Sequence, residues 1–324
     1  MSDFRTKIES ISQWENLNHN DYTLFIGSCF SENIGDLFKR YLFNVDVNPF
    51  GIIYNPVSAA KVLDFLIQKK KFDEKYLFYH NGLWNSYLHH GDFSNPDKEK
   101  CLQSIISRIE KGSEFINKAK YVFVTFGTAF VYKLKKNNLI VSNCHKVNPN
   151  EFDRLLLTPE EISKKYNKII NDLININPNI NIVFTVSPVR HIKDGLIGNQ
   201  RSKAVLITAI NNIIEEFKKN TSYFPAYEIM IDDLRDYRFY SDDMLHPNNL
   251  AIKYIWQYFS DIYFSDKTKL IIKDLEKLRK LYEHRPIHLN TKPYNDWIKA
   301  KEIHFNNFKN KYPEINLDKF IKHN

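Results

Sequence analysis

Phe25-Ile26-Gly27-Ser28-Cys29-Phe30-Ser31-Glu32 changes its hydrophobic period within eight residues. The apolar run 22–26 reads as a short buried strand, and Gly27-Ser28 breaks it. Ile34, Leu37, Phe38, Tyr41 and Leu42 then fall on one helical stripe. Strand, tight turn and helix is how α/β folds bring a reactive group to the carboxyl edge of a sheet. Ser28 then lies beside the first amides of a helix, where the dipole favours negative charge. The same position suits an N-cap serine whose hydroxyl only satisfies a helix amide. These residues leave both readings open.

Outward from that stretch, strand and helix patterns alternate, which predicts a mostly parallel five-stranded sheet with helices on both faces, an α/β three-layer fold. Residues 43–47 read as the second strand, 121–125 as the third, 181–186 as the fourth and 227–231 as the fifth. Helices are expected over 58–69, from Asp97 through Ile109, over 202–219 and over 248–264. Another opens at Thr158-Pro159-Glu160-Glu161, a capping box with proline at the first helical position, and runs to about residue 174. Two hairpin insertions are expected, 77–80 with 83–86 around Asn81-Gly82, and 130–134 with 139–143 around Asn137-Asn138. The chain divides into an α/β domain, 1–264, and a charged helical extension, 265–324. In the extension the patterns 270–282 and 294–312 are interrupted by Pro286 and Pro293.

A chain of 324 residues can bury a large core as one domain with an appendage. Its 43% hydrophobic content argues against disorder. No apolar stretch approaches the ~20 residues of a membrane span, and Met1-Ser2-Asp3-Phe4-Arg5 is too polar for a signal peptide. A cytoplasmic protein with no membrane partner is therefore expected. Cys29, Cys101 and Cys144 form neither a disulfide framework nor a C-x-x-C pattern, and no metal or organic cofactor is expected. The formal charge of +8 is spread over every predicted helix, so runs such as Lys69-Lys70-Lys71 read as solvated faces. No nucleic-acid-binding module accompanies that charge, and no nucleic-acid partner is expected. The oligomeric state is not legible.

Four segments fall at predicted carboxyl ends of strands, the edge where such sheets bind ligands. Ser28 stands at the first. In the second, Asn48-Pro49-Phe50-Gly51-Ile52-Ile53-Tyr54-Asn55, Gly51 either offers an amide to an oxyanion or shapes a rigid loop. Tyr54 and Asn55 are substrate-binding candidates there. Thr128 follows the third strand, and Arg190-His191 follow the fourth. Arg190 either binds an anionic or hydroxyl-rich substrate or pairs with acids of 232–236. Asn143 and His145, after a hairpin strand, could lean over the site; His80, His89 and His90 read as structural. Near the end of the domain, Asp243 and His246 are three residues apart. The carboxylate can take the Nδ1 proton and leave Nε2 as a base, and Ser28 would be its partner. No G-x-S-x-G elbow is present, so the α/β-hydrolase pattern does not apply.

Taken together, these stretches resemble the GSCFA family of bacterial proteins, which are SGNH-hydrolase-like. The likeness rests on Gly27-Ser28-Cys29-Phe30-Ser31 (serine replacing the final alanine), Phe126-Gly127-Thr128-Ala129-Phe130-Val131-Tyr132 and Asn143-Cys144-His145-Lys146. It continues through Ser187-Pro188-Val189-Arg190-His191, Arg201-Ser202-Lys203-Ala204 and residues 233–240, and ends at Asp243-Met244-Leu245-His246-Pro247. The resemblance implies a flavodoxin-like sheet and a serine esterase with Ser28 as nucleophile, Asp243 as acid and His246 as base. It also implies the amides of Ser28 and Gly51 as oxyanion donors. Ala129 stands where the SGNH pattern has an oxyanion asparagine, a role that Asn55, Asn143, His145 or Thr128 would have to fill. The expected substrate is a small-molecule or carbohydrate O-acyl ester, hydrolysed or transferred through an acyl-enzyme. The alternative, motivated by Ala129, is a non-catalytic glycan-binding protein on the same fold. A cysteine nucleophile, Cys29 or Cys144, is a minor variant.

Overall fold

The computed structural model describes residues 5–9, 14, 16–284, 286–289 and 291–321. Residues 1–4, part of the start read above as no signal peptide, lie outside the described residues. The chain runs through β1 (Tyr22–Gly27), α1 (Cys29–Arg40), β2 (Asn44–Val47), α2 (Pro56–Ile67), β3 (Leu77–His80), β4 (Leu83–Ser86) and α3 (Lys98–Ile116). Next come β5 (Ala119–Phe126), β6 (Phe130–Leu134), β7 (Leu139–Val141), β8 (Phe152–Leu156), α4 (Pro159–Ile176), β9 (Asn181–Val186), α5 (Gly195–Glu216) and β10 (Thr221–Phe224). A short α6 (Ala226–Glu228) runs into a π-helical turn, Ile229–Asp233. It is followed by α7 (Asn249–Tyr263), α8 (Asp266–Glu283), α9 (Lys292–Lys311) and α10 (Asp318–Ile321). No helix among the described residues is long and apolar enough to cross a membrane.

Five strands pair in the order β10-β9-β5-β1-β2, every pair parallel. The chain adds β2 on one side of β1 and the later strands on the other. The order therefore reverses between β1 and β5, and their carboxyl ends open a crevice there. Alternation along the strands sorts the core into two faces. Leu24, Ile26, Val122, Val124, Phe126, Ile182 and Phe184 pack under α2 to α5. Phe25, Tyr121, Phe123 and Val183 pack under α1 and α7. The extension continues this second core: Ile271, Leu275, Phe308 and Phe320 are buried in it. The capping box of α4 forms as read, Thr158 and Glu161 each satisfying the other's amide.

Two elements differ from the sequence reading. The fifth strand is Thr221–Phe224, not 227–231, which is helical instead. Pro225 ends the strand, and the apolar run after it buries Ile229 and Met230 as a helical turn. A short apolar run has no period to separate the two outcomes. The second hairpin also gains a third strand, β8, on the free edge of β6.

Two histidines are built into the core. His19 stacks on Phe43 at 4.0 Å and contacts the Tyr41 carbonyl through Nε2 at 3.0 Å. His89 stacks on Phe50 at 4.1 Å and meets Ser86 Oγ at 2.9 Å. Burial holds the first down to about 4 and the second to about 3. Unfolded rings take up protons near pH 6.5, so unfolding binds protons below that pH and stability falls as the pH drops towards 4. The urea midpoint should decline over this window, and His89→Phe should flatten the decline. An unchanged slope in the variant contradicts the assignment.

Candidate active site

The site begins with Gly27. Its φ is +144°, and a Cβ there would lie 2.2 Å from the Thr125 carbonyl oxygen and 2.9 Å from Thr125 Cβ. Only glycine lets β1 and β5 approach this closely at their carboxyl ends. Asn48, just past β2, secures the corner by accepting from the Gly27 amide at 2.9 Å through Oδ1. Ser28 follows in extended conformation as the N-cap of α1, its hydroxyl accepting from the Phe30 amide at 3.3 Å. The N-cap role is therefore real. Ser28 is also 1% exposed at the floor of a cavity of about 710 Å³.

His246 lines the same cavity. It reaches there on a loop closed by Tyr240 bridging Pro247, with Ser241 donating to the His246 carbonyl at 2.7 Å. Met244 sits at φ +59°, which tightens the turn. The turn points the Asp243 carboxylate back on its own chain. It accepts from the amides of Leu245 at 2.9 Å and His246 at 3.0 Å, and from His246 Nδ1 at 2.6 Å. Those two amides, with the imidazole, hold the Asp243 carboxyl down to about 2. An imidazole bound this way keeps its proton on Nδ1 and offers Nε2 as an acceptor. Arg190 donates its amide to the Leu245 carbonyl at 3.4 Å, tying this loop to the end of β9. No hydrogen bond joins Ser28 to His246 among the described residues.

The β6–β8 sheet supplies the opposite wall, with Tyr132, Phe152 and Arg154. Arg154 is paired with Asp194 through Nε at 2.7 Å, so Lys146, Arg190 and Lys193 set the sign of the cavity's charge. The acids once considered as partners of Arg190 are otherwise engaged. Asp232 pairs with Arg235 at 3.2 Å, Asp233 with Arg5 at 3.3 Å and Asp236 with Arg238 at 3.5 Å. Burial pushes the Cys29 and Cys144 thiols, both lining the cavity, above their ordinary value, which disfavours the nucleophilic thiolate. Among the described residues no three His, Cys, Asp or Glu side chains gather as they would around a metal ion.

Of the other candidates, Tyr54, Asn55, Thr128, Asn143, Arg190 and His191 line the cavity. Tyr54 also accepts from the amides of Gly127 at 2.8 Å and Thr128 at 3.0 Å. Asn55 caps α2 by accepting from Ser58 at 2.8 Å and donates to the Val141 carbonyl at 3.3 Å. Thr128 Oγ1 lies 3.1 Å from Ser202 Oγ and accepts from Phe130 at 3.1 Å. Asn143 Oδ1 accepts from the His145 amide at 2.9 Å, and the His145 ring turns away to the Ser86 carbonyl at 2.8 Å. The amide of Gly51, expected to face an oxyanion, is engaged within its own loop. Its φ of +76° closes a turn in which its amide donates to the Asn48 carbonyl at 2.8 Å, and its Cα faces His90. Sequence reasoning also missed the part played by Lys203. Fully buried under the site, it donates to the carbonyls of Gly127 at 2.8 Å and Ser187 at 2.7 Å and so clamps the ends of β5 and β9 together. Burial brings its ammonium down to about 7. The available signal was a lysine among Ser202, Leu206, Ala209, Ile210 and Ile213 on the buried face of α5.

The model of the GSCFA family matches residues 23–259, which contain every part of this site. No curated protein matches the chain. Because the corner depends on a missing side chain, Gly27→Ala should cost about 3 kcal/mol or more. Urea denaturation measures it, and a loss below about 1 kcal/mol contradicts the close-approach account.

Proposed function

The chain belongs to the GSCFA family, and we propose that it is a serine ester hydrolase of the SGNH type. The observation that carries this reading is one cavity lined both by Ser28, at a helix N-terminus, and by His246, whose Nδ1 is held by Asp243. Ser28 Oγ attacks the ester carbonyl carbon while His246 Nε2 takes the hydroxyl proton. The amides at the start of α1 face the negative charge that develops on the carbonyl oxygen. As the tetrahedral intermediate collapses, the imidazolium gives its proton to the leaving alkoxide, and an acyl group remains on Ser28. Water, deprotonated by the same Nε2, then attacks the acyl carbon, releasing the acid and restoring the serine. A second alcohol in place of water makes the reaction an acyl transfer. Tyr54, Tyr132, Phe152, Ser142 and Asn143 give the cavity mixed aromatic and polar walls, which suit a carbohydrate O-acyl ester.

A second reading, a glycan-binding protein without turnover, draws on the 1% exposure of Ser28 and the engaged amide of Gly51. Turnover of p-nitrophenyl acetate separates the two. Ser28→Ala and His246→Ala should each lower kcat by at least about 10³-fold. Rates equal to the parent's would end the esterase reading and leave the binding one.

A further inference from the structure

A tetrahedral oxyanion in a closed site is stabilised by several donors aimed at one point. The first turn of α1 offers few, because the Phe30 amide is bonded to the Ser28 hydroxyl and the Ser31 amide to the Ser28 carbonyl. Most other groups near the crevice are taken: the Gly51 amide by Asn48, Asn55 by Ser58 and Val141, the Thr128 hydroxyl by Ser202, and His145 by Ser86. Lys203 is taken by two carbonyls. Two side chains of the cavity lining differ, Tyr132 and His191: the hydroxyl of the first and Nε2 of the second are buried with no hydrogen-bond partner among the described residues, and only the second stands against Gly127 at the end of β5. A buried, unpaired ring nitrogen is unfavourable unless something else completes it.

Its place is fixed from three sides. The backbone amide of His191 donates to Asn199 Oδ1 at 3.0 Å. The ring stands edge-on to Tyr54, with centroids 5.8 Å apart. Nε2 lies 3.4 Å from where a side chain on Gly127 would begin, so a larger residue there would press on the nitrogen. Gly127 follows β5, the strand paired with β1 in a register that sets Thr125 beside Gly27. The ring and the proposed nucleophile line the same cavity at this end of the sheet. Burial first, and then the charge of Lys203, holds the imidazole down to about 4, so it is neutral at pH 7. A neutral imidazole in its Nε2–H tautomer is a hydrogen-bond donor, and such rings polarise carbonyl oxygens in other enzymes.

We propose that His191 is a catalytic residue of the Ser28 reaction, donating its Nε2–H to the carbonyl oxygen of the ester as that oxygen becomes an oxyanion. This assignment rests on the esterase reading. It adds a second donor facing the α1 amides, and it makes the dyad of His246 and His191 functionally asymmetric: one ring moves the proton and the other holds the charge.

The experiment compares p-nitrophenyl acetate kinetics of the full chain with those of His191→Phe, which keeps an aromatic ring without the N–H, and His191→Gln, which keeps a donor. The Phe variant should lose about 10²–10³ in kcat, with KM within about 3-fold of the parent. The Gln variant should stay within about 10-fold of the parent. Should the Phe variant not fold, by circular dichroism, His191→Met against His191→Gln makes the same comparison at similar length, and Gln should be faster by about 10-fold or more. A Phe variant as fast as the parent, or folded Gln and donor-less variants equally impaired, overturns the role of His191 while Ser28-dependent turnover stands. A parent whose rate equals that of Ser28→Ala overturns the esterase reading and this assignment with it, so the two failures are distinct.

Discussion

The close pairing of β1 with β5 at Gly27 and Thr125 is the constraint on which the rest depends. With a Cβ position only 2.2 Å from the Thr125 carbonyl, no larger residue could let the two strand ends run side by side. The reversal of strand order at this pair opens the crevice, and α1 begins beside it with Ser28 as its N-cap. The hydroxyl of Ser28 is thus positioned by backbone geometry alone. Asn48, Tyr54 and Lys203 then hold the neighbouring strand ends through hydrogen bonds to backbone groups, and a site built on strand ends is more rigid than one carried on free loops.

The second half of the site is built on a different principle. Asp243 and His246 lie on an exposed turn, each side chain nearly half accessible, and are ordered by local hydrogen bonds rather than by packing. The turn is fastened to the sheet through Arg190 and Leu245 and to α7 through Asn248, which caps that helix. Ser28 on rigid strand ends and His246 on a locally ordered turn line one cavity. The cations of that cavity, Lys146, Arg190 and Lys193, would draw an anionic or strongly polar molecule towards it.

Much of this was written in local signals. The change of period at Gly27-Ser28 gave β1 and α1, Asn81-Gly82 gave the first hairpin, and Thr158 with Glu161 gave the start of α4. The three-residue spacing of Asp243 and His246 foretold their hydrogen bond because both ends lie in one turn. What stayed hidden depends on partners far along the chain. Residues 227–231 became a helical turn because Pro225 had already ended the edge strand. The amide of Gly51 and the ring of His145 were drawn to carbonyls that no local pattern names. Lys203 shows in the sequence only as a lysine on the apolar stripe of α5, and no local pattern names the two strand ends it clamps.

The proposed reaction requires the imidazole of His246 to reach the hydroxyl of Ser28 while that hydroxyl attacks the ester. The most direct measurement is a crystal structure of the protein after reaction with a fluorophosphonate. The expected result is a phosphonyl group on Ser28 Oγ, with His246 Nε2 within about 3 Å of the reacting oxygens. A protein left unmodified, or modified at another side chain with Ser28 intact, would contradict it.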